Sequence, residues 1–151
     1  MKILLGSDHG GYFLKEDLKD FLKGLGHEVV DYGAYSTDSC DYPDIAFLVA
    51  TDLMAGKGDR AILVCGTGIG MCIAANKVKG IRAALCHDVF SAKASREHND
   101  ANVLTLGERV IGKGLAREIV HSWLEAEFTG ERHRRRVEKI IRFEQNGSQK
   151  A

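Results

Sequence analysis

Residues Arg60 to Lys77 read RAILVCGTGIGMCIAANK. A continuous apolar run ends at Cys65. Three glycines in five residues follow, Gly66, Gly68 and Gly70, and then an alanine-rich segment. A short apolar run without alternation reads as a strand buried on both faces, Ala61 to Cys65. The glycines mark a turn, and a helix runs from about Ile69 to Asn76. A strand buried on both faces that passes through glycine into a helix belongs to a parallel sheet covered by helices.

The same grammar extends in both directions. Ile3 to Gly6 reads as a strand. Tyr12 to Leu25 reads as a helix with Phe13, Leu14, Leu18, Phe21, Leu22 and Leu25 on one face, stopped by Gly24 and Gly26. Glu28 to Tyr32 is a second strand, and Asp44 to Ala55 a helix with Pro43 near its first turn. Arg82 to Cys86 and Val103 to Leu106 are strands; Val89 to Glu97 and Gly112 to Glu127 are helices. The expected fold is α/β, a Rossmann-like three-layer sandwich with a five-stranded parallel sheet and an extra C-terminal helix. Residues 1–151 are expected to form one domain. Its end, from about residue 142, is a helix end and tail, with NGSQKA frayed.

Composition limits the function classes. The chain of 151 residues is 44% apolar and 28% charged, an ordinary globular balance. Lys plus Arg equals Asp plus Glu at 21 each, so no global field draws it to nucleic acid or anionic lipid. No apolar run approaches the ~20 residues a membrane helix needs. Asp8 and His9 follow the first apolar run directly, so the N-terminus reads as a strand and not a signal peptide. Cys40, Cys65, Cys72 and Cys86 form no Cys-x-x-Cys pair, which fits free thiols in a reducing cytoplasm. The single proline, Pro43, excludes a Pro-rich linker.

In parallel sheets ligands bind beyond the carboxyl ends of the strands. The residues there look chemical: Ser7-Asp8-His9, Cys65-Gly66-Thr67, His87-Asp88 and Gly107-Glu108-Arg109. His98 and Asn99 precede the fifth strand and share that rim only if the helix before them ends there. GTGIGM lacks the last glycine of Gly-x-Gly-x-x-Gly, because position 71 is Met71. GSDHGGY spaces Gly6 and Gly11 as a Walker A loop would, but Tyr12 replaces the lysine. Neither a dinucleotide nor a nucleoside triphosphate is supported. The glycine turn either aims N–H groups and a helix dipole at an anion or needs glycine only for its backbone angles.

Individual residues keep two readings. Cys65 is either a thiolate favoured by the helix start or a packed strand-end thiol. Asp8 is a rim carboxylate or a helix cap. His98 is an acid/base group or a neighbour of a helix C-terminus. Cys72 and Cys86 read as packing, and Cys40 as a loop residue. His27, His87 and His121 show no metal-ligand spacing. In ERHRRRVEKIIRFE, Arg132 and Arg136 are four apart and project from one face, an arrangement that suits a phosphate. Val137, Ile140 and Ile141 form an apolar stripe that suggests docking on a partner subunit. Glu131, Glu138 and Glu144 interrupt the basic run, which weakens a nucleic-acid reading.

The blocks SDHGG, DYPD, CGTGIGMCIAANK, GIRAALCHD, SREHNDANVLTLGERVIG and GERHRRRVEKI follow one another in an order that resembles the ribose-5-phosphate isomerase B family, which includes galactose- and allose-phosphate isomerases. The resemblance runs from Met1 to about Ile141. It implies interconversion of aldose and ketose phosphates through an enediolate, without metal or cofactor. It implies that Cys65 is the base and that Thr67 with the backbone of Gly66, Gly68, Ile69 and Gly70 holds the enediolate oxygen. His98 assists ring opening, with Asp8 nearby. Tyr42 and Asn99 contact hydroxyls; His9, Arg109, Arg132 and Arg136 hold the phosphate. It also implies a homodimer or dimer of dimers, with sites built from two subunits; the free thiols set the expected location as cytoplasmic. Some members carry the base on a different residue; this chain has the cysteine. In galactose-6-phosphate isomerases the cysteine set and the histidine-arginine set lie on two different chains. Here one chain carries both, which favours ribose 5-phosphate. Allose 6-phosphate isomerisation and a non-catalytic sugar-phosphate sensor are the alternatives.

Overall fold

The computed structural model describes residues 1–147; residues 148–151, within the tail expected to fray, lie outside the described residues. Five strands, β1 (Lys2–Ser7), β2 (Glu28–Asp31), β3 (Arg60–Cys65), β4 (Ala83–Leu85) and β5 (Val103–Gly107), form one parallel sheet in the order β2-β1-β3-β5-β4. Six helices connect and cover them: α1 (Tyr12–Gly24), α2 (Tyr42–Met54), α3 (Ile69–Ala75), α4 (Val89–Asn99), α5 (Lys113–Glu125) and α6 (Glu131–Asn146). The expected α/β sandwich with five parallel strands and an extra C-terminal helix is the observed one.

Alternation along the strands makes the layers. Ile3, Leu5, Ile62, Val64, Leu104 and Leu106 pack with α1 and α5 through Leu14, Leu18, Leu22, Ile119, Val120 and Trp123. Leu4, Ala61, Leu63, Cys65 and Val103 face α2 and α3 through Ala46, Val49, Ala50, Leu53, Met71 and Ala75. Both faces of β3 are therefore dry, as its unbroken apolar run requires.

Most element ends lie one or two residues from expectation, and two of the shifts have a plain cause. α2 begins at Tyr42 and not at Asp44, because Pro43 sits inside the first turn with its φ already helical. β4 is cut to three residues, since it is an edge strand paired only with β5. α6 stands apart from the sandwich: Val137 is its one buried residue, while Ile140 and Phe143 are exposed. Among the described residues no helix is long and apolar enough to cross a membrane.

Candidate active site

The strand order reverses between β1 and β3, and a parallel sheet leaves a crevice there. The register fixes what meets in it. Ser7 lies beside Val64, and Cys65 beside Gly107, so Asp8, Gly66 and Glu108 leave the sheet side by side. Backbone bonds tie the three loops: Asp8 N–H to the Val64 carbonyl (3.2 Å), Glu108 N–H to that of Cys65 (3.0 Å) and Arg109 N–H to that of Gly66 (3.0 Å). Gly11 is packed so closely that a Cβ would lie 2.6 Å from the Val64 carbonyl.

Cys65 closes β3 and is buried. Its Sγ accepts the Gly68 N–H at 3.1 Å, so one loop amide points at the sulfur. Gly68 has φ 77°, and a Cβ on it would lie 2.8 Å from the Leu106 carbonyl carbon, so glycine is required twice over. The exposed Thr67 accepts the Ile69 N–H through its hydroxyl oxygen (3.2 Å). The Tyr42 ring rests over Gly70, and the Arg109 guanidinium lies beside Gly66.

Asp8 is a cap, though not of α1. Its carboxylate accepts the Gly10 N–H (2.9 Å) and closes the tight turn His9–Gly11. The N-terminus of α1 is satisfied instead by Glu108, whose carboxylate accepts the Leu14 N–H at 2.7 Å. His9 accepts the Cys40 N–H on Nδ1 (3.2 Å), so the neutral ring carries its proton on Nε2. Cys40, in the loop before α2, is thus half-buried beside the rim and not merely exposed. Cys86 lies in the core, and burial pushes its thiol up to about 11.

The chain brings Asp8, His9, Tyr42, Cys65, Gly66, Thr67, Gly68, Ile69, Gly70 and Arg109 to one rim. It does not bring His98 and Asn99 there. α4 starts at the carboxyl end of β4, where Asp88 caps it through the Ser91 N–H (2.7 Å), and runs back along the sheet. Its 11 residues span about 16 Å at about 1.5 Å each. The Asn99 carbonyl then accepts from Arg82 (3.1 Å), which immediately precedes β4. His98 therefore stands at the amino edge of the sheet, and the expectation that it lies near Asp8 fails within one chain. A helix that joins two parallel strands has to run that way.

A second polar cluster forms at that edge. The Thr129 N–H and hydroxyl both donate to the Glu97 carbonyl and bring the start of α6 beside the end of α4. His133 stacks on His98 with ring centroids 4.2 Å apart and planes 14° apart. Burial, and then the neighbouring His98, Arg132 and Arg136, hold His133 below the usual histidine range. Arg132 and Arg136 start α6 and belong to this end, apart from Arg109 and His9. Sequence reasoning sets Glu108 on the rim but not its role as the cap of α1, and it misses His133, which has no local signal.

Residues 3–140 match the model of a family described as Ribose/Galactose Isomerase. The chain is 49% identical over 144 residues to ribose-5-phosphate isomerase B of Escherichia coli, covering 95% of this chain and 97% of that one. It is 48% identical over 145 residues to D-erythrulose-4-phosphate isomerase of Pectobacterium atrosepticum, covering 95% of each. The structure of ribose-5-phosphate isomerase B from Clostridium thermocellum superposes with a TM-score of 0.95 at 56% identity, over 97% of this chain and 99% of that one. The Mycoplasma genitalium ribose-5-phosphate isomerase B, solved with bound ribulose-5-phosphate, gives 0.91 at 44% identity over 97% of each chain. The crevice at the reversal of strand order, with a thiol in a glycine turn, thus lies in an isomerase, and the chain belongs to the ribose/galactose isomerase family.

Proposed function

We propose that this isomerase interconverts ribose 5-phosphate and ribulose 5-phosphate by proton transfer through an enediolate, with Cys65 as the base. The observation that carries the reading is the bond from the Gly68 N–H to Cys65 Sγ, which supports negative charge on sulfur at the mouth of the crevice. The thiolate removes the proton from C2 of the open-chain aldose, a proton passes from O2 to O1 across the enediolate, and the thiol returns its proton to C1 as C2 becomes the carbonyl. Charge develops on the neighbouring oxygen, and the Thr67 hydroxyl and the remaining amides of Gly66 to Gly70 are placed to receive it. Tyr42 contacts a sugar hydroxyl. His9, through Nε2, and Arg109 hold the phosphate.

Ring opening needs a group that moves a proton between the ring oxygen and O1. His98 fills that role, with Asp8 facing it, only if a second copy places its amino-edge cluster over this crevice. The same copy brings Asn99 to a hydroxyl and Arg132 and Arg136 to the phosphate. The working unit is therefore a homodimer or a dimer of dimers. Exposed Phe47 and Leu48 on α2 and Ile69 and Ile73 on α3, the two helices that cover the Cys65 face of the sheet, supply apolar area for that contact. The enzyme acts in the cytoplasm, without metal or cofactor.

The test is turnover of ribose 5-phosphate by purified protein, with and without chelator, beside Cys65→Ala. Loss of Cys65 is expected to lower kcat by roughly a hundred-fold or more. Near-normal turnover in that variant refutes the base, and abolition by chelator refutes the metal-free route. The similarity to an erythrulose-phosphate isomerase favours a second reading, a shorter sugar in the same crevice. Erythrulose 4-phosphate and allose 6-phosphate belong in the same assay, and the highest kcat/KM names the substrate.

A further inference from the structure

Lys15, near the start of α1, is a charged side chain with no solvent exposure at all. Its Nζ donates to both oxygens of Asp31 at 2.8 and 2.9 Å and lies 2.9 Å from Glu16. The rings of Tyr12 and Tyr35 flank it, with centroids 5.6 and 5.4 Å away. Lys19 closes the network on Asp31 (3.0 Å) and Glu16 (2.6 Å). A buried ion pair is a poor way to gain stability, since an apolar side chain of like volume does as well or better. What this one offers is direction.

Asp31 is the last residue of β2, and its carboxylate also accepts the Gly33 N–H (2.9 Å). Its carbonyl accepts the Tyr35 hydroxyl (2.9 Å). The Gly33 carbonyl in turn accepts the Ser7 N–H, and the Ser7 carbonyl accepts the Ala34 N–H, both at 2.6 Å. Lys15 thereby fixes the path on which the chain leaves β2 and crosses the end of β1. That path continues to Cys40, whose N–H holds His9, and to Tyr42, whose ring covers Gly70. Its other anchor, α1, comes directly after the His9 turn.

We infer that Lys15 is a positioning residue for the isomerisation: through Asp31 it sets the segment 31–42, and so places His9 and Tyr42 against the substrate. The inference rests on the proposed reading that these two residues contact the sugar phosphate. Lys15 touches no substrate itself. Because His9 and Tyr42 bind and do not move the carbon-bound proton, their displacement weakens binding more than it slows the chemistry.

Two measurements on Lys15→Met test this. Hydrogen exchange without substrate is expected to show amides of residues 33–42 opening at least about tenfold faster, while those of β3 and β5 keep their rates. Steady-state kinetics with ribose 5-phosphate should show KM raised about tenfold and kcat held within about threefold. Lys15→Arg, which keeps the charge, should recover part of both. Unchanged exchange in 33–42, or acceleration spread equally over β3 and β5, overturns the positioning role. Local acceleration with unchanged KM overturns its link to substrate. Failure of the unaltered protein to turn over ribose 5-phosphate would instead refute the functional reading and leave the exchange result standing. Should Lys15→Met not fold, Asp31→Asn, which keeps an acceptor for Gly33 but weakens the ion pair, is expected to shift exchange and KM in the same directions.

Discussion

Gly70→Ala isolates one contact of the crevice. A Cβ on Gly70 would lie 2.7 Å from Cε2 and Cζ of Tyr42 and 3.0 Å from Cε1. Carbon atoms at rest sit about 3.5–4.0 Å apart, so the ring has to retreat by about 1 Å. Two terms oppose each other in stability. Alanine is preferred over glycine inside a helix by about 1 kcal/mol, and Gly70 lies in α3. Pushing the ring out costs a similar amount, because Tyr42 is 39% exposed and can swing toward solvent. The single variant should therefore melt within about 2–4 °C of the unaltered protein. Its KM should rise about tenfold, near 1.4 kcal/mol of lost binding. In a Tyr42→Ala background the clash is gone, and the same substitution should stabilise by about 1 kcal/mol, or about 2–4 °C. Thermal unfolding of the four proteins in the cycle, with kinetics on those that turn over, reads both numbers. If Gly70→Ala raises Tm equally in both backgrounds and leaves KM unchanged, Tyr42 does not rest on Gly70 in solution and the reasoning fails.

Glu108→Ala removes the acceptor at the start of α1 and should cost about 1 kcal/mol, with Glu108→Gln recovering most of it in the same unfolding assay. Equal Tm values for all three proteins would count against the cap. On acidification, stability should fall in a defined window. The Lys19 hydrogen bond holds Glu16 below its ordinary 4.5. Burial pushes Asp31 up, but bonds from Lys15, Gly33 and Lys19 outweigh it and hold Asp31 below 3.8. Both contributions are complete above those ordinary values and vanish as pH drops below them through the folded-state values, so a urea midpoint constant from about pH 7 to about pH 3 would refute the pairing. Cys86 behaves oppositely: raised from 9.0 to about 11 by burial, it favours the fold below 9.0 and loses that contribution as pH climbs toward 11. At about pH 8.5 an alkylating agent should therefore label half-buried Cys40 well before Cys86, read by peptide mass spectrometry; equal labelling would contradict the burial.

The strands were legible because burial on both faces demands continuous apolar runs, and Ala61 to Cys65 has no other stable use. The rim residues were legible for the same reason: the residues directly after such a strand emerge at its carboxyl end. Contacts between distant residues left no trace in local pattern. Glu108 and Leu14 are 94 positions apart, and nothing near Glu108 marks it as a cap for another helix. Lys15 did carry a signal. It precedes Leu18 by three and Leu22 by seven, inside the apolar stripe of α1, where a lysine is out of place unless paired. The place of His98 was decided by connection and not by composition. A helix between parallel strands must return to the amino edge, and α4 is long enough to complete the trip.

The direction of α4 has a genetic consequence. If each crevice borrows its histidine from another copy, two inactive variants can repair one another. In a dimer of one Cys65→Ala chain and one His98→Ala chain, one crevice lacks both groups and the other lacks neither. Random pairing at equal amounts makes about half of the dimers hybrid, so about a quarter of all sites recover. A chain that used its own His98 would give no recovery at any ratio. Defective alleles of this gene would then fall into two complementing classes, sorted by which end of one helix the damage lies near.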